Sequence, residues 1–228
     1  MLIKTPVFAL LLAAVGAIVI LRRHRRDWRY AMVLGSAGAI LGIAMLGRID
    51  LGVRYVLPLY PLTAIIAGIG AAGVASRRSW VGSGMVGCLM LGQAAVAAAS
   101  WPDYLPYFNV LAGSHPERLL VDSDLDWGQD VNRVAAELQR RGIRDVATAL
   151  HGNADLSRHG FPRYTELEWD EPATGWIVVS QTRWSFGTGA PPFDGYRWLK
   201  RYAPVSMIGK TVRLYYIDPE DDGARPEK

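Results

Sequence analysis

The chain has 228 residues, 25 Lys/Arg against 21 Asp/Glu for a net charge of +4, and one cysteine. Half of it is hydrophobic and its mean hydropathy is +0.11, which excludes collagen-like, disordered and disulfide-scaffold classes. The average conceals a split: residues 1–101 hold 10 Lys/Arg and 2 Asp/Glu, whereas residues 102–228 hold 15 and 19. The basic excess therefore punctuates apolar stretches while the polar half is acidic, which points away from nucleic acid as a partner.

Four windows carry no charge: residues 5–21, 30–47, 55–76 and 79–102. A spanning helix needs about 20 apolar residues, and a charge at mid-bilayer costs about 2.5–3.5 kcal/mol. The windows predict four transmembrane helices near 5–21, 30–47, 55–76 and 79–101, forming a membrane region over 1–101. Trp28, Tyr30, Tyr55, Trp80 and Trp101 stand at window edges, where an interfacial aromatic belt belongs. Gly35, Gly38 and Gly42, then Gly68, Gly70 and Gly73, are expected to let helix backbones approach closely. Cys88 falls inside the fourth window and reads as a packing residue.

The Arg-rich segments at 22–29 and 76–79 share one side by this count of spans, and the positive-inside rule places that side in the cytoplasm. The start of the chain, the loop 48–54 and the second half then face outward. With Ala/Gly/Arg-rich usage this reads as a bacterial inner membrane with a periplasmic domain. The first basic cluster follows its apolar run, so the run is not read as a cleaved signal peptide. The opening MLIKTP resembles the interior of a membrane protein, which raises the expectation of missing N-terminal sequence.

Residues 102–218 predict a small α/β domain. A Pro/aromatic-rich entry leads to a strand over 118–122 and a polar turn at 123–127. Asp126 or Ser123 is the expected cap of a helix over 127–141, because Val131, Val134, Ala135 and Leu138 recur at helical spacing. Gly142 ends that helix and 144–150 is the next strand, which suggests a parallel crossover. A strand at 176–180, a short helix at 195–202, and two strands within 205–218 turning near Gly209 complete the domain. The tail 219–228 reads as disordered.

Two groups of residues carry candidate chemistry. Lys4 and Arg54 each precede a predicted span on the outward side, at headgroup depth, where two cations suit a lipid phosphate or, more simply, anchor helix ends by snorkelling. Tyr55 stands beside Arg54. The second candidate is the run 122–130, with Asp122, Asp124, Asp126 and Trp127. As a calcium loop it fails, because the glycine comes one residue late, at Gly128, and the twelfth position is Arg133. A D-x-D divalent-metal site is a weaker alternative, and a capped strand-to-helix turn a simpler one. The four histidines are scattered and match no zinc spacing, so no metal site is assigned. No G-x-S-x-G or Walker sequence occurs.

Taken in order, KTP at 4–6, RYVLPLYP at 54–61, YFN at 107–109, LVDSDLDWGQD at 120–130, GWIVVS at 175–180 and the closing RLYYID resemble the C-terminal part of the GT-C membrane glycosyltransferases. Among these, the nearest likeness is to bacterial relatives of the dolichyl-phosphate-mannose protein mannosyltransferases. The resemblance implies sugar transfer, with inversion, from a polyprenyl-phosphate-linked sugar on the outer membrane face. It implies Lys4 and Arg54 as lipid-phosphate contacts and 102–228 as the outward C-terminal domain. In that family the catalytic carboxylate lies in a first outward loop that this chain does not match, and Asp50 does not inherit the role. The expectation is therefore a portion inactive without the missing N-terminal region, or one paired with a separate N-terminal subunit. The alternative is a non-enzymatic membrane-anchored module that binds a glycan, a lipid or a subunit.

Overall fold

A computed structural model describes residues 1–24, 26–46, 52–75, 80–121, 124–186 and 195–221. The chain divides into two compact units, Met1–Pro116 and Glu117–Lys228.

The first unit is helical, with α1 at Val7–Arg23, α2 at Trp28–Leu46, α3 at Leu59–Ala75 and α4 at Trp80–Ser100. Two of these, α2 and α4, are long and apolar enough to cross a membrane by length and composition. The windows ending α1 and α3 are charge-free over similar lengths, but each helix has 17 residues. In the third window a 3-10 turn at Gly52–Val56 precedes Pro58, and α3 starts only at Leu59. Pro58 cannot donate a helix bond and restricts the residue before it, so the helix begins after it. None of the apolar window of α2 or α4 is buried, and Leu46 and Trp80 are 84% and 95% exposed. Exposed apolar helix surface of this extent marks an interaction face for a membrane or another protein.

The helices pack through glycine, but not through all the expected glycines. A Cβ on Gly16 or Gly70 would collide with backbone of the facing helix, so α1 and α3 meet there at close range. Gly73 touches Val19, Gly82 meets Val74, and Gly92 lies on the Phe8 ring. Gly35, Gly38, Gly42 and Gly68 meet nothing and do not serve the packing predicted for them. Cys88 likewise is exposed. The matched pairs fix direction: α1 and α3 run parallel, since residues 16 and 19 face 70 and 73 in order. Gly82 near the end of α3 and Gly92 near the start of α1 make α4 antiparallel to both.

The entry segment belongs with this unit. Asn109 donates from Nδ2 to Leu2 O at 2.7 Å and to Thr5 O at 2.6 Å, and its backbone N–H donates to Ile3 O at 2.9 Å. These bonds satisfy carbonyls ahead of α1 that no helix bond reaches.

The second unit is a five-stranded mixed sheet. Its strands are β1 at Asp145–Ala149, β2 at Arg163–Glu166, β3 at Gly175–Ser180, β4 at Ser206–Ile208 and β5 at Val212–Ile217, in the order β2-β1-β3-β5-β4. β1 pairs in parallel with β2 and β3, and β5 pairs antiparallel with β3 and β4. Helix α5 at Val131–Arg140 buries Val131, Val134, Ala135 and Leu138, the predicted stripe. Burying each Val or Leu contributes about 1.5–3 kcal/mol. Val134 and Leu138 join Val146, Val178, Ile208, Val212 and Leu214 in one core on that face of the sheet. The opposite face packs Ala149, Ile177, Val179, Tyr215 and Ile217 with Tyr196 and Leu199. Burial pushes the Tyr196 and Tyr215 phenols up to about 12.

Three expectations change here. The strand predicted over 118–122 does not form: Pro116–Arg118 is a 3-10 turn and 119–121 is irregular, with Asp122 outside the described residues. The expected crossover through α5 therefore has no first strand. The helix at 195–202 contracts to a 3-10 turn at Trp198–Arg201. β2 and the short α6 at Gln181–Phe186 had no sequence signal, because every β2 residue is exposed and no apolar alternation marks it.

Candidate functional site

Lys4 closes a 3-10 turn at Leu2–Lys4, and Pro6 then starts α1 from its N-cap position. Lys4 Nζ donates to Leu105 O at 2.5 Å and lies 4.2 Å from the centre of the Phe108 ring. The ammonium is thus held against a carbonyl and a π-face. Next to it, buried Thr5 donates to Met1 O at 3.0 Å and lies 3.4 Å from the Tyr60 hydroxyl, which ties the chain start to the first turn of α3. Arg54 and Tyr55 sit in the 3-10 turn before α3, both exposed. Because α1 and α3 run parallel, Lys4 and Arg54 occupy the same end of the unit. Asn109, which sequence reasoning noted only within a word, is the residue that holds the Lys4 segment in place. Its buried polar side chain in a Pro/aromatic stretch is the signal that marks it.

The acidic turn has a different character. Asp122 lies outside the described residues. Asp124 and Asp126 are buried, Asp126 to 1% exposure, while Trp127 is 56% exposed. Asp126 Oδ1 accepts from Gly128 N at 2.9 Å, and Gln129 braces the turn by accepting from Trp127 N at 2.7 Å and donating to Leu125 O at 3.0 Å. Of the expected caps, Asp126 does not cap α5 and Ser123 lies outside the described residues. Its N-cap is Asp130, whose side chain makes no cap bond. The Asp130 carboxylate instead accepts from Arg133 Nη1 at 2.8 Å and from Thr211 Oγ1 at 2.6 Å, bridging α5 to the β4–β5 turn. Gly209 in that turn has φ of +59° and no room for a Cβ against the Asp130 carboxylate.

Gly128, with φ of +76°, lets the acidic turn lie against the loop after β1, since a Cβ there would stand 2.8 Å from His151 O. Trp127 O is 3.5 Å from the Cβ position of Gly152. The turn therefore acts as a brace behind that loop. Among the described residues no group of three or more His, Cys, Asp or Glu side chains is placed to hold a metal ion.

No family model matches this chain, and no curated protein or solved structure matches it either. The class that the described residues define is accordingly one of architecture: a helical unit with two helices able to cross a membrane, followed by a mixed α/β sheet unit.

Proposed function

We propose that the chain is part of a multi-pass membrane glycosyltransferase that uses a polyprenyl-phosphate-linked sugar, with the lipid phosphate held near Lys4, Arg54 and Tyr55. In this reading α1 and α3 cross the membrane beside α2 and α4, giving four spans. At 1.5 Å per residue a 17-residue helix is about 26 Å long, short of a mean bilayer core but within the tolerated range. The Arg-rich ends face the cytoplasm, and the sheet unit lies in the periplasm of a bacterial inner membrane.

The observation that carries the reading is the parallel run of α1 and α3, which starts both helices at the end occupied by Lys4 and Arg54. Breaking the bond between sugar and carrier leaves extra negative charge on the phosphate, and preorganised cations stabilise that charge as it develops. The resemblance of the sequence words supports the same assignment. The catalytic base is left unassigned, and a separate subunit is one source for it.

Binding of a polyprenyl phosphate to the full chain in detergent tests this. Arg54→Gln is expected to weaken it about tenfold, the equivalent of about 1.4 kcal/mol, relative to the uncharged polyprenol. Equal binding of phosphate and alcohol, or an unchanged affinity in Arg54→Gln, removes Arg54 from the site. It would then favour a snorkelling helix anchor and the binding-module alternative.

A further inference from the structure

We propose that the sheet unit carries a binding site for a neutral, polyhydroxylated ring of the carbohydrate class, in the cavity at the C-terminal ends of β1 and β2.

The register places its floor. Thr148 pairs with Glu166 and Val146 with Tyr164, so Thr148, Tyr164 and Glu166 share one sheet face. That is the α5 face, because Val146 packs with Val134 and Leu138. The first residue of α5, Val131, reaches the cavity from one side. The loop after β1 brings His151 and Asp155, and α6 after β3 brings Arg183. The cavity is open on one side and its volume is about 210 Å³. In sheets with parallel strands, ligands bind beyond the carboxyl ends of the strands, and here the residues that follow β1 and β3 meet the last residue of β2, Glu166.

The site is braced rather than loose. Ser180, the last residue of β3, accepts from His151 N at 3.1 Å, which fixes the loop after β1 to the next strand. Arg183 Nε donates to Leu150 O at 3.4 Å, and this orients the guanidinium. The acidic turn supports the same loop from behind through Gly128.

Its chemistry selects the ligand. Asp155 is already engaged, accepting from Ser157 N and Oγ and pairing with Arg158 at 3.1 Å. Glu166 and Arg183 then bring one charge of each sign to the lining, which favours a neutral guest over an ion. A carboxylate accepts from hydroxyls and a guanidinium donates to hydroxyl or ring oxygens. Tyr164 is 42% exposed and held edge-to-face by Phe161 at 6.3 Å, so it offers an aromatic wall for the C–H face of a pyranose. A lining of few placed polar groups around such a wall fixes orientation. If the proposed function holds, this ring belongs to the acceptor or the product, and that assignment rests on the glycosyltransferase reading; the carbohydrate site itself does not.

The test titrates the full chain, in a zwitterionic detergent free of sugar headgroups, with the methyl pyranosides of glucose, galactose, mannose and N-acetylglucosamine. Saturation-transfer NMR reads the binding. At least one pyranoside should saturate with Kd on the order of 1 mM, the range for a ligand of this size. Glu166→Gln and Arg183→Gln should each weaken it about tenfold, with unchanged circular dichroism. Equal binding of polyprenyl phosphate and polyprenol by the full chain, with glycoside binding intact, overturns the proposed function and spares this site. No saturation by any pyranoside, equal binding in both variants, or preference for acetate over every pyranoside overturns the inference.

Discussion

Glu137 shows how single residues set the acid response of the sheet unit. Its carboxylate accepts from Arg140 at 2.7 and 2.8 Å and from Arg141 at 2.6 Å. These hydrogen bonds hold its pKa down to about 2, against 4.5 when unperturbed. A depressed carboxylate stabilises the fold above its unfolded pKa and loses that contribution as pH falls through the folded one. Stability attributable to Glu137 should therefore be complete above pH 4.5 and fade toward pH 2. In Glu137→Gln the acid limb of a urea-midpoint profile is expected to flatten; an unaltered limb rejects the assignment. Asp130 shows the complementary lesson. It stands where a cap belongs, yet its carboxylate bridges Arg133 and Thr211. The sequence pointed to Asp126 or Ser123 as the cap, and only the folded chain put Asp130 at that position with other partners for its carboxylate.

At the scale of elements, small residues mattered by face and not by number. Each of the four helices carries glycine, but Gly16 and Gly70 oppose each other while Gly35, Gly38 and Gly42 oppose nothing. Gly70→Val should cost about 1–3 kcal/mol through overpacking, whereas Gly35→Ala should be neutral or slightly stabilising because a helix glycine is replaced without a clash. Unfolding of the two variants in a mixed-micelle titration checks this, and equal destabilisation would place the α1–α3 contact elsewhere. The amphipathic α5 was legible because its stripe is local and strong. β2 was not, since an edge strand with every residue exposed carries no alternation to read. The strand expected at 118–122 failed for the opposite reason: a short apolar run says that residues are buried, not that a neighbouring strand accepts their backbone bonds.

For the whole molecule, the division at Pro116 separates two units with their own packing. The sheet unit has a core on each face of its sheet, so residues 117–221 expressed alone should fold cooperatively, with a urea m-value of about 1–1.5 kcal/mol/M for a domain of that size. A gradual, non-cooperative transition would mean that the helical unit is needed for its fold. The candidate site was partly legible. Lys4 and Arg54 were singled out from charge placement alone, and the parallel α1 and α3 start at the same end as both. His151, Tyr164, Glu166 and Arg183 were not found, because they are ordinary polar residues on separate elements, joined only by strand register.

By itself the sequence determined the split into an apolar basic half and an acidic polar half, the helical windows, the α5 stripe and the neighbourhoods of four of the five strands. These are properties of composition and short-range period, which a linear chain displays directly. The tertiary structure alone decided the mixed strand order, which glycines touch, the diversion of Asp130 from its cap, and the cavity over β1 and β2. Each of these depends on which distant residues become neighbours, and hydrogen-bond register and backbone contact are chosen only when the chain has closed on itself.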